Sequence, residues 1–335
     1  MKPRIIATIG HGSHHDEGVR AIVAAGAGVL RYNAATMKTL GDTAQRIADG
    51  RRALGDHAVP VMVDLPFPRQ KLRLHTFAGA EHDVPRGETF RFVARPSLQS
   101  GPRDVLVEIP TFTGIVEPGE VFIIGDGELA FRADAVESHA LTATAVTKWY
   151  LSDGKSIHLS RVPNAVVDAE SYLAEVLADL GDLRPEYLAF SFVESGDEMR
   201  QIRALLDGDW RPRLIAKVET PAAMRELDGI LDASDLVLFA RGDMAIQAPY
   251  EMLGLHQKRV VSRARAAGIP VIVATQVLET TMTRYVPNRS EILDLTNIVL
   301  EGAWGVMLAK ETSAPDNPVY PVTVAKRIID QVAAW

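Results

Sequence analysis

The chain has 335 residues, 47% of them hydrophobic and 6% aromatic, with a formal net charge of −7 and no cysteine. That length exceeds the ~150-residue prior for one domain but suits a β/α barrel of about 250 residues carrying a smaller module. The acidic balance argues against a nucleic-acid or anionic-membrane surface, and the missing cysteines exclude disulfides, thiolate metal sites and a cysteine nucleophile together.

The amino terminus passes from Met1-Lys2-Pro3-Arg4 straight into the strand-like Ile5-Ile6-Ala7-Thr8-Ile9. No apolar leader region of ~7–15 residues precedes it, and no stretch approaches the ~18 apolar residues of a membrane span. The expectation is a cytoplasmic protein. Strands are expected at residues 4–9, 28–33, 59–65, 187–193, 214–218, 236–240, 271–274 and 306–308. Most are near-continuous apolar runs, the pattern of parallel strands buried on both faces. Amphipathic stretches lie between them: residues 16–25 end at Gly26, and residues 251–267 end at Gly268 and Pro270. Eight such strands with intervening helices give a (β/α)8 TIM barrel of the α/β class.

The alternation breaks between Leu74 and Val166. Thr89-Phe90-Arg91-Phe92-Val93 and Val105-Leu106-Val107-Glu108-Ile109 read as short strands, punctuated by Pro85-Arg86-Gly87, Glu117-Pro118-Gly119 and Gly125-Asp126-Gly127. The expected organisation is a barrel over residues 1–73 and 167–335, with an inserted small β-barrel domain over 74–166.

In such a barrel the active site forms where strands end at the C-terminal face. The polar residues closing the strands are Arg31 and Asn33, Asp64, Ser191, Lys217 and Glu219, Asp243, Thr275, and Lys310 with Glu311. A single capping Asp or Ser would be ordinary; seven strands delivering such groups to one rim favour a site. Glu219 and Asp243 suit an oxygen-ligated Mg²⁺ or Mn²⁺, which takes few protein carboxylates and leaves positions for substrate oxygens. Lys217 lies two residues before Glu219, so both side chains share one face of the strand. Beside a metal, that ammonium can stabilise a developing enolate or a transferring phosphoryl group. The alternative is a structural Lys–Glu ion pair filling the barrel top.

Seven segments together carry a resemblance. Ala7-Thr8-Ile9-Gly10, Leu30-Arg31-Tyr32-Asn33, Ala216-Lys217-Val218-Glu219, Ala240-Arg241-Gly242-Asp243, Ala274-Thr275-Gln276-Val277-Leu278-Glu279, Pro287-Asn288-Arg289-Ser290-Glu291 and Met307-Leu308-Ala309-Lys310-Glu311-Thr312 resemble the ordered signature segments of the pyruvate kinase family. The resemblance implies that Glu219 and Asp243 are the divalent-metal ligands. It implies further that Lys217 and Arg31 handle the phosphoryl group, and that Thr275 stands beside the carbon receiving the proton. The backbone of Ala240, Arg241, Gly242 and Asp243 matches the loop holding the pyruvate carboxylate, and Ser191 joins this substrate side. Asn33, Arg73 (or Lys71), Lys155 and Asp126 fall on the nucleotide side, the last two on the inserted module, which is similar to the family's mobile lid.

The departures concern monovalent-ion and nucleotide chemistry. Two oxygen ligands of the family's potassium site match Ala35 and Leu65, and Arg69 stands where potassium-dependent members carry a glutamate. A fixed guanidinium there implies that potassium is not required. His11, Thr36 and Lys310 replace a proline, a histidine and a glycine of the family pattern. The family's C-terminal effector domain has no counterpart before Trp335, which implies a chain without that control. A homodimer through the barrel helices stays open. The expected function is a pyruvate kinase-like phosphotransferase acting on phosphoenolpyruvate/pyruvate and ADP/ATP. A metal-dependent pyruvate-enolate lyase, aldolase or decarboxylase without nucleotide, and a non-catalytic phosphoenolpyruvate-binding homologue, are the alternatives.

Overall fold

A computed structural model describes residues 2–76, 81–94, 104–159, 165–206, 208–314 and 317–335. The chain divides into two compact units, residues 1–69 with 167–335, and residues 70–166.

The first unit is a closed ring of eight parallel strands. They are β1 (Arg4–Thr8), β2 (Ala27–Asn33), β3 (Val61–Gln70), β14 (Tyr187–Ser191), β15 (Arg213–Val218), β16 (Leu236–Ala240), β17 (Val271–Ala274) and β18 (Gly305–Leu308). The order β3-β14-β15-β16-β17-β18-β1-β2 closes through the β2–β3 pairing, with Asn33 opposite Asp64 at the rim. The apolar runs named from sequence are these strands. The largest difference is β3, which continues to Gln70 past Pro66 and Pro68, because proline and the residue before it favour extended backbone. That extension carries Arg69.

The helices around this ring are α1 (Asp16–Ala25), α2 (Leu40–Leu54), α3 (Ala169–Leu180), α4 (Gly196–Leu205), α5 (Pro221–Arg225), α6 (Leu227–Ala233), α7 (Arg241–Gln247), α8 (Leu253–Ala267), α9 (Arg289–Glu301), α10 (Lys310–Ser313) and α11 (Val319–Ala334). Their ends follow local chemistry. The His15 ring accepts from Gly18 N to cap α1, and α8 stops at Gly268, whose φ of 74° suits glycine. The stretch expected as one helix over 251–267 begins instead with a 3-10 turn at Tyr250–Met252. Glu291, in the proline-x-arginine-x-glutamate segment, accepts from Asn288 N at 3.0 Å and Thr280 N at 2.8 Å. It thereby ties the start of α9 to the turn after β17.

Strand side chains alternate between two cores. One face, including Ile5, Leu30, Val63, Phe190 and Phe239, packs under the helices. The other fills the barrel with Ile6, Val29, Met62, Ala189, Ile215, Leu238 and Ile272.

The second unit is all β. It comprises β4 (Leu74–His75), β5 (His82–Val84), β6 (Thr89–Ala94), β7 (Val105–Val107), β8 (Val121–Ile124), β9 (Leu129–Val136), β10 (Ala140–Ala145), β11 (Trp149–Leu151), β12 (Ile157–His158) and the short β13 (Ala165–Val166) before the chain returns. A seven-stranded sheet in the order β12-β8-β9-β10-β6-β7-β4 is accompanied by the β11–β5 ribbon. Its core centres on Phe92, Phe122 and Phe131, with Phe92 edge-on to the other two at 5.2 Å. Among the described residues no helix is long and apolar enough to cross a membrane.

Candidate active site

The inward parity that fills the barrel continues upward into its rim. Two residues beyond Ile6, Val29, Met62, Ala189 and Ile215 stand Thr8, Arg31, Asp64, Ser191 and Lys217. Strand alternation therefore delivers all five into one polar layer above the apolar one. All five are buried.

Asp64 is the hub of this layer. Its Oδ2 accepts from Arg31 Nε at 2.9 Å and Nη2 at 2.7 Å, while Oδ1 lies 3.2 Å from Lys217 Nζ. Burial pushes the Asp64 carboxyl up, but the Lys217 ammonium and Arg31 guanidinium outweigh it and hold it below the usual range. Arg31 Nη1 donates to Thr8 Oγ1 at 2.9 Å, and Thr8 donates to Leu308 O at 2.8 Å. Lys217 Nζ donates to Ser191 Oγ at 3.0 Å and lies 3.1 Å from Glu219 Oε1. Burial alone would lower the Lys217 pKa; Asp64 and Glu219 reverse the sign, and the ammonium stays charged.

Glu219 follows β15 and is fully buried. Its Oε2 accepts from Phe192 N at 2.7 Å. Oε1 has the Lys217 ion pair but no hydrogen-bond geometry. Burial raises the Glu219 pKa first, Lys217 opposes it, and the charges of Asp243 and Asp64 raise it again. Asp243 sits half-buried in the first turn of α7 rather than on a strand. Two neighbouring carboxylates whose negative charge exceeds what the lysine offsets form a donor set that a divalent cation fits. Among the described residues no three His, Cys, Asp or Glu side chains form a ready metal cage. Mg²⁺ in particular is held by one or two carboxylates plus substrate oxygens.

Next to Asp243, a Cβ added to Gly242 would come within 2.8 Å of Thr275 Cγ2, so glycine is what lets α7 abut that residue. Thr275 has a φ of 77° and Gln276 of 51°, left-handed backbone that is an outlier for a β-branched residue. Arg241 clamps this turn. Its Nε donates to Ala274 O at 3.2 Å and its Nη2 to Thr275 O at 2.6 Å, while Nη1 is paired with Asp294. Glu311 supports the same segment, accepting from Val277 N and Leu278 N and, through its other oxygen, from Ala309 N.

A family profile described as "Pyruvate kinase, barrel domain" matches residues 1–322. The pyruvate kinase of Methylorubrum extorquens strain AM1 is 33% identical over 340 residues, covering 99% of this chain and 68% of the relative. That of Mycobacterium tuberculosis strain H37Rv is 34% identical over 336 residues, covering 97% and 69%. The Thermococcus litoralis enzyme is 28% identical over 340 residues, covering 98% and 69%. The chain belongs to the pyruvate kinase family. It is an enzyme of the pyruvate kinase type, a family that uses a divalent metal and small-molecule substrates.

Against the family reading, the barrel residues fall into two linked groups. Arg31, Asp64, Ser191, Lys217 and Glu219 interlock around the hub; Ala240, Arg241, Gly242 and Thr275 form the adjoining turn, which carries Asp243, whose charge acts on Lys217 and Glu219. Asn33 closes β2 and its Oδ1 accepts from Ala35 N at 3.2 Å. Ala35 is exposed and Leu65 fully buried. Arg69 is gripped by Glu198, Glu194 and the carbonyl of Phe192. Arg73, Asp126 and Lys155 gather at one end of the β unit: Arg73 Nη1 donates to Gly154 O at 2.7 Å, and Gly125 N to Ser156 O at 2.9 Å. Lys310 opens α10 with an exposed side chain. The resemblance gives Asp64 and Thr8 no role, yet both share the inward parity of Arg31, and that parity is the sequence signal that marks them.

Proposed function

We propose that this chain catalyses phosphoryl transfer between phosphoenolpyruvate and ADP, yielding pyruvate and ATP, with Mg²⁺ or Mn²⁺ and without a potassium requirement. One observation carries the reading: two buried cations, Arg31 and Lys217, flank Asp64 at the barrel rim beside the buried Glu219 carboxylate. Glu219 and Asp243 would hold the divalent cation, which supplies charge neutralisation to the transferring phosphoryl group and the enolate.

The chain's own residues then divide the work. Arg31 and Lys217 present fixed positive charge to the phosphoryl oxygens, and Lys217 also stabilises the enolate left when the bridging P–O bond breaks. Asp64 orients both cations. The N–H groups from Ala240 to Asp243 receive the substrate carboxylate, with Ser191 on the same side. Thr275 stands where the methylene carbon of the enolate takes its proton. Asn33 on the barrel, and Arg73, Asp126 and Lys155 on the β unit, are the groups assigned to the nucleotide. Arg69 supplies a permanent charge in place of a monovalent ion.

The test is a comparison of substrates. With Mg²⁺, phosphoenolpyruvate and ADP the protein should release pyruvate and ATP in equal amounts, with sodium or potassium as the monovalent ion. Pyruvate released from oxaloacetate or 4-hydroxy-2-oxo acids without nucleotide, and none from phosphoenolpyruvate with ADP, would overturn the assignment in favour of a lyase.

A further inference from the structure

Arg69 lies at the end of the extended β3. Its guanidinium is committed in three directions. Nη1 donates to the carbonyl of Phe192 at 2.8 Å, and Nη2 is paired with Glu198 and lies 3.2 Å from Glu194 Oε2. Glu198 also accepts from Glu194 N at 2.8 Å, so the loop from Phe192 to the first turn of α4 is drawn around one guanidinium.

Phe192 is the pivot. Its φ of 53° is a conformation that L residues avoid, so the surroundings must impose it. Arg69 holds its carbonyl, and its N–H donates to Glu219 Oε2 at 2.7 Å. That hydrogen bond fixes which oxygen of Glu219 is spent on the backbone and which, Oε1, is left to the cationic side of the site. An unbroken chain of contacts therefore runs from Arg69 through residue 192 to the carboxylate.

We propose that Arg69 is a positioning residue for the divalent-metal site, acting through the left-handed turn at Phe192 on the orientation of Glu219. The inference rests on Glu219 being a metal ligand, and it goes beyond Arg69 as a stand-in for a monovalent charge. The two roles separate chemically. A stand-in needs only positive charge, which lysine also provides. A positioning residue needs the planar fork that reaches a carbonyl and two carboxylates at once, which lysine lacks.

The test titrates Mn²⁺ into the purified full chain and reads the free ion by electron paramagnetic resonance, without substrate. Wild type, Arg69→Met, Arg69→Lys and Glu219→Gln are compared, each checked for folding by circular dichroism. Loss of an outer partner of a metal ligand costs about 10–100-fold in metal affinity. Arg69→Met should fall in that range, Arg69→Lys should also bind Mn²⁺ more weakly, and added potassium should restore neither. If both Arg69 variants bind Mn²⁺ as wild type does while Glu219→Gln does not, the positioning role is wrong and the metal assignment survives. If Glu219→Gln itself binds normally, the metal assignment fails first. Should Arg69→Met not fold, Arg69→Lys and Glu198→Gln decide by the same comparison, since Glu198→Gln loosens the grip on the guanidinium and should weaken Mn²⁺ binding in the same direction.

Discussion

Replacing Lys217 by methionine removes an ammonium that meets Ser191 Oγ at 3.0 Å, Glu219 Oε1 at 3.1 Å and Asp64 Oδ1 at 3.2 Å. At an effective dielectric of ~20, each of the two ion pairs is worth about 5 kcal/mol before desolvation, and burying the ammonium costs several kcal/mol in return. Asp64 keeps Arg31, whereas Glu219 keeps the Phe192 N–H but loses its neighbouring cation. The net loss should fall in the range of about 3–5 kcal/mol typical of breaking a buried pair from one side. A melt alone cannot then separate a structural lysine from a catalytic one, because both readings destabilise.

Two other readouts can. Arg31 and Lys217 face Asp64, Glu219 and Asp243, an excess of one negative charge that Lys217→Met raises to two. Affinity for Mn²⁺ should therefore rise, and a divalent ion should recover part of the lost stability. Turnover should nevertheless fall by ~10²–10³, since the charge developing during reaction loses its preorganised partner. The assay pairs a Mn²⁺ titration with steady-state kinetics at saturating substrate. Near-wild-type kcat in folded protein, or weaker Mn²⁺ binding, would refute the argument.

Glu219→Gln and Asp243→Asn should each abolish metal-dependent turnover while circular dichroism stays native, because each removes a ligand charge and relieves like-charge repulsion. Exchanging sodium for potassium at constant ionic strength should leave the rate unchanged; a large increase would contradict the reading of Ala35, Leu65 and Arg69. Thr275→Gly should remove the hydroxyl and relieve the strain of a φ of 77°, worth about 1–3 kcal/mol. The expected result is a lower kcat with an unchanged or higher Tm, and a lower Tm would show that the side chain is there for packing.

The barrel was legible because buried parallel strands leave an aliphatic signature, and because inward parity runs from Ile215 to Lys217 on β15 and on to Glu219 just past its end. The pairing of Lys217 with Glu219 followed from the same spacing. What single-strand parity cannot show is which groups from different strands meet. Asp64 as the hub between Arg31 and Lys217 depends on the β2–β3–β14–β15 order, which brings residues 31, 64 and 217 together. Nor does any residue type announce Phe192 or Thr275 as left-handed, since their neighbours impose that backbone. Nor does the sequence show that the buried Glu311 carboxylate takes three backbone N–H groups, a role set by where the loop after β17 passes.

The crowding of Lys217 by a hydroxyl and two carboxylates bears on how such a site works. An ammonium has three donors; here it hydrogen-bonds Ser191 Oγ and has the Asp64 and Glu219 carboxylates beside it as ion-pair partners at 3.2 and 3.1 Å. A substrate oxygen approaching Nζ competes with these three neighbours. Asp64 is held in place by Arg31 and is the costliest to lose. Ser191 contributes no charge, and giving it up would leave the ammonium still neutralised by two carboxylates, a poor partner for an anion. Glu219 is the contact whose release would leave neither side exposed, because under the proposed reading its carboxylate would help hold the divalent cation while the lysine faces the substrate. The resting ion pair and the working site are then two arrangements of the same groups. On the proposed reading, the salt bridge that a structural reading would invoke is the resting arrangement of Lys217 before substrate arrives.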